Sequence, residues 1–292
     1  MLRHTILIFL IVCVSITVSN PVRGEVFTGS GLVDMPTGRV LKHGIFEAGT
    51  YLGFQQRMMD RSTTSLGDAV AIRLDFGLFD RVEIGLTQLW EAHGSESASN
   101  RTASLKLQLL REPEAGVIPS VAIGFEKLSN EIFASDSEAE VGETPSIFLA
   151  VSKTFNLPRI HRFSGHIGVG TQRFAFEERP IGVFVGLSKA FQPAFARGDI
   201  TMQLEFDGTG VNTGMRYITS SGFQVALGAE ILNDPDELRY LVSASWTNAQ
   251  ILEQIDETQR LITRATELAV EAKRAVSKKK AVEETTETPS SQ

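Results

Sequence analysis

The chain has 292 residues, a net charge of −7 and a mean hydropathy close to zero. Its one cysteine, Cys13, excludes an internal disulfide framework, and because it lies in a predicted cleaved leader it also excludes thiolate chemistry in the mature chain. No sequence motif predicts a cofactor, and we expect no nucleic-acid partner.

Residues 1–24 have the pattern of a secretory signal peptide. A short basic region precedes an apolar run over residues 5–18, and Val22 and Gly24 are small residues at −3 and −1 of a predicted cut. The apolar run is short for a spanning helix, although an uncleaved anchor is the alternative. No later stretch has the ~18 apolar residues that a transmembrane helix needs.

Residues 25–45 precede the first predicted strand. Pro36 fixes its own φ and favours an extended Met35 before it, while Gly31 and Gly38 permit tight bends. Such a segment is either a plug inside the fold or a stiff lead-in to it. We favour the lead-in, because that is the more common outcome.

The clearest strand pattern lies in residues 67–89. Apolar residues from Val70 to Leu78 alternate with Ala71, Arg73, Asp75 and Gly77, and the alternation resumes after a break at residues 80–81. Because successive side chains of a strand point to opposite faces, each segment has one apolar and one polar face. The break is short enough to predict a tight hairpin.

The same alternation recurs along the chain to residue 247 and predicts about twelve strands. The other predicted strands are 46–54, 102–109, 117–127, 146–154, 163–172, 181–189, 200–207, 211–217, 223–231 and 240–246. Their length suits tilted membrane strands of about 9–11 residues. We therefore predict an all-β fold, an antiparallel transmembrane up-and-down β-barrel over residues 46–247, with a soluble two-sheet sandwich as the alternative.

The predicted connections alternate between long and short in the first half of this region. Residues 90–101 and 128–145 are long and polar, whereas 79–81 and 156–160 are short. Outer-membrane barrels have short periplasmic turns and longer outer loops. The first strand should therefore begin, and the last strand should end, on the periplasmic side. The tight connection at 207–210 falls where an outer loop is expected and departs from this pattern.

From residue 248 the apolar period changes to alternating fours and threes, which predicts a helix over 248–280 capped by Asn248 or Thr247. The apolar positions form a heptad seam, and the predicted helix would hang in the periplasm, either binding a partner as a coiled coil or lying unpartnered. Residues 281–292 read as a disordered tail. The seam comprises Ile251, Ile255, Thr258, Ile262, Ala265, Ala269, Ala272 and Val276.

Charged residues on the polar face of the strands should point into the barrel. Because single buried charges are costly, mixed signs at close quarters predict pairing across the lumen. We favour a polar network that fills the barrel over a small or gated channel. These residues are Arg73, Asp75, Glu83, Lys106, Glu126, Glu205, Arg216, Glu230 and Arg239.

The residues offer little support for catalysis. His161 and His166 are the candidate bases, and Ser164 shares a face with His166, but a hydrolase also needs a third group to orient the base. No GxSxG elbow is present, and the histidine spacing predicts no metal site. We therefore expect no enzyme.

The segment GSGLVDMPTGRVLKHGIFEAG, residues 29–49, resembles the opening of the YjbH-like family of outer-membrane proteins linked to exopolysaccharide production. The chain would be a short, single-barrel relative, and the family supplies no catalytic residues to transfer. The residues that carry the resemblance are Gly31, Leu32, Val33, Met35, Pro36, Thr37 and Arg39.

Together these features predict an outer-membrane barrel of a double-membraned bacterium, non-catalytic and accessory to envelope or exopolysaccharide production or export. Its expected partners are outer-membrane lipid and, through the lumen or the C-terminal helix, periplasmic envelope proteins or polysaccharide. The alternatives are a narrow passive or gated pore and a secreted soluble β-sandwich that acts as a binding module.

Overall fold

A computed structural model describes residues 29–55, 69–93, 96–113, 116–128, 145–157, 161–175, 179–193, 198–235 and 238–286. The predicted signal peptide, residues 1–24, lies outside the described residues, as do residues 287–292 of the predicted tail. Among the described residues, no helix is long and apolar enough to span a membrane.

Twelve strands and one helix make up the described fold, together with a short 3₁₀ turn at Gln172–Phe174. The strands are β1 (Phe46–Gln55), β2 (Ala69–Leu78), β3 (Val82–His93), β4 (Glu96–Leu110), β5 (Ser120–Glu126), β6 (Ser146–Leu157), β7 (His161–Gly170), β8 (Gly182–Phe191), β9 (Gly198–Phe206), β10 (Val211–Thr219), β11 (Phe223–Glu230) and β12 (Arg239–Thr247). The helix is α1 (Ala249–Thr286).

The strands form one closed antiparallel barrel. Each strand pairs with its neighbours in sequence, and β1 closes the wall by pairing with β12 from Glu47 opposite Thr247 to Gln55 opposite Arg239. The predicted barrel is therefore confirmed and the two-sheet sandwich is wrong. Closure leaves no sheet edge, which is the condition for strands to cross lipid.

Side chains alternate across the wall as the sequence pattern predicts. In β12, Leu241, Ser243 and Ser245 are buried inside, whereas Val242 and Trp246 are exposed outside. Leucine, isoleucine, valine and phenylalanine side chains are exposed along the outer face of the other strands as well. An apolar exterior around a polar interior is the arrangement of a barrel embedded in a membrane.

Aromatic side chains cluster on the outer face where β1 begins and β12 ends. The Phe46 ring lies 6.1 Å from that of Phe76 and 5.3 Å from that of Trp246, measured between centroids. Such residues form the girdles that mark the boundary between lipid and water in outer-membrane barrels.

The predicted loop at 90–101 is wrong. Strands β3 and β4 stay paired from Val82 opposite Leu107 to His93 opposite Glu96, and the connection is only residues 94–95. Polar side chains do not interrupt a backbone ladder, so this hairpin continues beyond the apolar pattern that marked its start. The predicted tight connection at 207–210 is confirmed between β9 and β10.

Helix α1 forms a compact unit of its own. It runs to Thr286, beyond residue 280 where the predicted helix ends. Its 38 residues give a length of roughly 57 Å at 1.5 Å per residue. The side chain of Asn248 does not follow the predicted capping role, because its amide oxygen accepts the N–H of Phe46 at 2.9 Å and its amide nitrogen donates to the carbonyl of Gly44.

Candidate functional site

Residues Gly29–Leu41, called here the plug segment, lie inside the barrel. Every residue from Gly31 to Gly38 is buried, and Val33 and Met35 are completely inaccessible to solvent. The favoured expectation of a lead-in outside the fold is therefore wrong, and the alternative of a plug is correct. The plug segment contains all the residues that carried the family resemblance.

The plug segment folds back on itself as a compact loop. The Leu32 amide donates to the Met35 carbonyl at 2.9 Å, and the Thr37 hydroxyl donates to the Ser30 carbonyl at 2.7 Å. A side chain of Leu41 comes within 3.3 Å of the position that a Cβ of Gly29 would take. The two ends of the loop are therefore neighbours.

Both ends lie at the mouth of the barrel where β1 begins and β2 ends. A Cβ on Gly77, near the end of β2, would collide with the backbone of Leu41 and Lys42. The Gly44 amide donates to the Gly77 carbonyl at 3.0 Å, which ties the chain to this mouth just before β1. The plug segment thus enters and leaves the lumen through one mouth.

The first anchor of the plug segment is a carboxylate and ammonium pair on β3 and β4. The Lys106 ammonium lies 3.0 Å from the Glu83 carboxylate, and both groups are buried. Glu83 accepts the Ser30 hydroxyl at 2.6 Å and the Leu41 amide at 2.7 Å. The Lys106 ammonium also donates to the Ser30 hydroxyl oxygen.

A second pair lies on β2. The Arg73 guanidinium donates two hydrogen bonds of 2.8 Å to the Asp75 carboxylate, and further ones to Thr87 and Ser104. The Gly29 amide points at the same carboxylate at 3.3 Å. Bidentate pairing satisfies the guanidinium and the carboxylate together, which is what their burial requires.

Arg173 connects the tip of the plug segment to the wall. Its guanidinium pairs with the Glu126 carboxylate on β5 and lies 3.1 Å from the Asp34 carboxylate of the plug segment. It also donates to the Asp34 carbonyl at 2.8 Å. Burial raises the pKa of Asp34 above its ordinary value, and the nearby Arg173 charge opposes that shift.

Glu205 on β9 holds the backbone of the same tip. Its carboxylate accepts the amide of Val33 at 3.1 Å and that of Asp34 at 2.6 Å. It also accepts the side-chain amide of Asn212, which in turn donates to Asp207 at 2.8 Å. Two adjacent backbone donors on one carboxylate fix the position of the tip.

His166 on β7 lies between serines of the two neighbouring strands. Its ring nitrogens lie 2.8 Å from the Ser152 hydroxyl and 3.0 Å from the Ser188 hydroxyl, and Ser152 accepts the Gly38 amide of the plug segment. The predicted partner Ser164 instead receives a hydrogen bond from Arg39. The side chain of His161, the other candidate, lies outside the described residues.

At the mouth, the exit of the plug segment is held by Arg39 and Glu112. Their side chains lie 3.1 Å apart, and Glu112 also pairs with Lys153 at 3.0 Å and accepts the Thr154 amide at 2.9 Å. Partial burial alone would raise the pKa of Glu112, but the hydrogen bonds from Lys153, Thr154 and Arg39 outweigh it and lower the pKa to about 2.

Apolar contacts complete the fit on the opposite side of the lumen. Leu32 and Met35 pack against the buried rings of Phe148, Phe174 and Phe184. Val33 contacts a second buried cluster formed by β1, β11 and β12 residues. Near Pro36 the plug segment and the wall leave a cavity of about 20 Å³, which is room for roughly one water molecule.

The structure brings together most of the predicted interior charges, in pairs rather than in one site. Glu230 and Arg239 lie 3.6 Å apart, and Arg216 is half-buried on the inner side of β10. The described seam residues of α1 are exposed, while the side chain of Val276 lies outside the described residues.

Sequence reasoning missed Arg173 and Asp34. Arg173 follows the end of β7, beyond the alternating pattern, and Asp34 belongs to a segment without periodicity. In the sequence, Arg173 stands next to Phe174, and Asp34 stands between Val33 and Met35. A charged residue beside apolar ones is the signal that points to each of them. The described residues contain no group of three or more His, Cys, Asp or Glu side chains placed to hold a metal ion.

The profile of a protein family described as exopolysaccharide biosynthesis protein YbjH matches residues 24–231. The chain belongs to this family. The match covers the plug segment and the wall as far as β11, and it confirms the resemblance seen at residues 29–49. The chain is thus an outer-membrane β-barrel protein of an exopolysaccharide-biosynthesis family. A comparison with curated proteins found no match.

A comparison with solved structures found similarity to an outer membrane channel from Pseudomonas putida F1, with 12% identity over 74% of this chain and 99% of that one and a TM-score of 0.43. Another is the KdgM porin, with 10% identity over 68% of this chain and 98% of that one and a TM-score of 0.41. A porin mutant of Rh. blastica is 12% identical over 62% of this chain and 55% of that one, with a TM-score of 0.28.

Proposed function

We propose that the protein is a non-catalytic, accessory component of exopolysaccharide production or export, closed at rest by its own plug segment. The observation that carries this proposal is the burial of Gly31–Gly38 inside the barrel, held by wall residues on several strands. A filled lumen argues against the alternative of a passive pore. The link to exopolysaccharide comes from the description of the family, exopolysaccharide biosynthesis protein YbjH.

The absence of a catalytic role is part of the proposal. His166, the best candidate base, has both ring nitrogens occupied by serine hydroxyls, and the plug segment covers the neighbouring Ser152. A serine nucleophile needs a base whose ring is oriented by a third group, usually a carboxylate, whereas the other ring nitrogen of His166 lies against a second serine hydroxyl. The arrangement therefore supports a positioning role for His166.

Conductance in planar lipid bilayers tests the closed state. The test compares the full chain with a plug-less variant, in which a short Gly-Ser bridge replaces residues 30–40. Such a bridge is feasible because Gly29 and Leu41 are neighbours. We expect the full chain to be silent and the plug-less variant to conduct steadily. Steady conductance by the full chain would favour the passive pore instead.

A gated pore is the second candidate function, and the geometry of the plug segment favours it. Both ends of the segment lie at one mouth, so it can withdraw without threading through the barrel. The Leu32 Cδ1 atom lies 2.6 Å from the position that a Cβ on Gly186 would take, so the two positions are neighbours across the lumen and can be probed with a pair of cysteines. A Leu32→Cys, Gly186→Cys variant should lose exopolysaccharide secretion when oxidised and regain it when reduced.

The expectation that α1 binds a periplasmic envelope protein or polysaccharide also belongs to this proposal. Its seam residues Ile251, Ile255 and Ile262 are exposed, and the charged side chains between residues 251 and 272 avoid the seam. A continuous uncharged stripe on a long helix is the form that coiled-coil partners bind. Truncation after Asn248 should lower secretion while the barrel still folds.

A further inference from the structure

The wall groups bind the plug segment in the way that a protein binds a hydroxylated ligand. The Ser30 hydroxyl donates to the Glu83 carboxylate at 2.6 Å and accepts from the Lys106 ammonium. A hydroxyl is both donor and acceptor, so a carboxylate and an ammonium side by side can use both of these functions. A sugar hydroxyl would make the same two hydrogen bonds.

Deeper in the lumen, a wall carboxylate accepts hydrogen bonds from two neighbouring donors. Glu205 accepts two neighbouring backbone amides, those of Val33 and Asp34. Adjacent hydroxyls of a sugar ring present two donors to one carboxylate in the same way. Ser152 and Gln108 add an acceptor and a donor where they bind the Gly38 amide and carbonyl.

Aromatic rings line the same part of the lumen. Phe148, Phe174 and Phe184 pack around Leu32 and Met35, with centroid separations of 4.7 Å between Phe174 and Phe184 and 6.1 Å between Phe148 and Phe174. Flat apolar rings beside hydrogen-bonding groups suit a sugar, whose C–H face is apolar and whose edge is polar.

We propose that the wall groups which hold the plug segment form, once it withdraws, a binding site for an uncharged polysaccharide chain. This inference rests on the proposed function and adds to it the class of polymer and the residues that bind it. The plug segment then acts as an internal stand-in for the polymer, with Ser30 and the amides of Val33 and Asp34 in place of sugar hydroxyls.

The charges of the wall select an uncharged polymer. Three cations are already paired with wall carboxylates: Lys106 with Glu83, Arg73 with Asp75, and Arg173 with Glu126. Glu205 would be left with the side-chain amide of Asn212 as its wall donor after withdrawal. At the groups that hold the plug segment, an acidic polymer would therefore meet three cations that are already neutralised and a carboxylate that repels it.

Block of the current through the plug-less variant tests this inference. The probes are maltohexaose, which is uncharged, and hexagalacturonate, an acidic oligosaccharide of the same length. We expect maltohexaose to reach half-maximal block at a concentration at least about tenfold lower than hexagalacturonate does. In the plug-less background, Glu205→Gln should lower the half-blocking concentration of hexagalacturonate about threefold, because it removes the repelling charge. Glu253→Gln on α1 is the matched control and should change neither value.

A second variant guards against misfolding of the plug-less protein. Ser30→Ala with Asp34→Ala weakens the plug segment from its own side and leaves the wall intact, and its open events can be probed in the same way. Equal or stronger block by hexagalacturonate, or open channels that neither probe blocks, would overturn this inference alone. A plug-less barrel that stays silent while folded would overturn the proposed function together with it.

Discussion

The two sides of the lumen hold the plug segment by different chemistry. On the β2–β5 side, buried carboxylates and cations such as Glu83 and Lys106 bind its backbone and hydroxyl groups. On the β6–β8 side, Phe148 and Phe184 pack against it, and wall glycines make the room that these rings need. On the polar side, directed hydrogen bonds fix the position of the plug segment. On the apolar side, the volume of the packed rings limits the shape that the plug segment can take.

The largest expected effect lies at Arg173, which follows β7 in the chain and reaches across to pair with Glu126 on the polar side. An Arg173→Met change leaves Glu126 and Asp34 buried without their guanidinium partner, and breaking a buried pair from one side costs about 3–5 kcal/mol. Urea unfolding in detergent micelles measures the loss. Arg162→Met, at an exposed arginine, is the control and should change stability by less than about 0.5 kcal/mol.

Adding Glu126→Gln to Arg173→Met sharpens the same test. If the cost comes from an orphaned carboxylate, neutralising that carboxylate should recover part of the loss, and the two changes will not add. Strict additivity of the two changes would contradict the pairing.

On the apolar side, the expected effect of one added methyl group is smaller. A Cβ on Gly182 would collide with the backbone carbonyl of Phe174, so Gly182→Ala must displace the 3₁₀ turn or the strand. Overpacking of this kind costs about 1–3 kcal/mol. Gly165→Ala is the matched control, because its nearest neighbour, a ring carbon of Phe155, would lie at 3.4 Å and needs no displacement. Equal losses in the two variants would contradict the tight fit.

A weaker effect is expected at the mouth, where Glu112 holds Arg39. Because the pKa of Glu112 is lowered to about 2, its stabilising contribution is complete above the ordinary glutamate pKa and is lost as the pH falls towards 2. The pair is partly exposed, so the contribution is at most about 1 kcal/mol. The difference in unfolding free energy between the wild type and Glu112→Gln should be constant above pH 5 and vanish near pH 2. A difference independent of pH would exclude the charged form as its source.

The wall could be predicted from the sequence because a strand reveals its two faces within a few residues. All twelve strands lie within a few residues of the predicted ones at most of their ends, and the exception, the hairpin of β3 and β4, exceeds its apolar pattern. The pattern reports which residues face lipid. It does not report where backbone pairing stops, since ladder bonds are made equally well beyond the membrane.

The plug segment could not be placed in the same way. Its burial depends on wall groups far along the chain, such as Glu205 for the amide of Val33, and no local period records such a match. The turn residues Gly31, Pro36 and Gly38 indicated a bent segment without indicating what surrounds it. Arg173 escaped prediction for a related reason, because it lies just past the last residue of a strand and its partner Asp34 is 139 positions away.

The smallest expected effect on the barrel comes from changes in the helix, which forms a compact unit of its own. Ile255→Asp with Ile262→Asp changes two exposed seam positions, so the unfolding free energy of the barrel should shift by less than about 0.5 kcal/mol. Secretion of exopolysaccharide should fall nonetheless, because charges on the seam would prevent a coiled-coil partner from binding. Glu257→Gln with Glu267→Gln, on the charged face, is the control and should leave both quantities unchanged. Normal secretion by the seam variant would mean that α1 acts without a partner on this face, and the barrel with its plug segment would then account for the function alone.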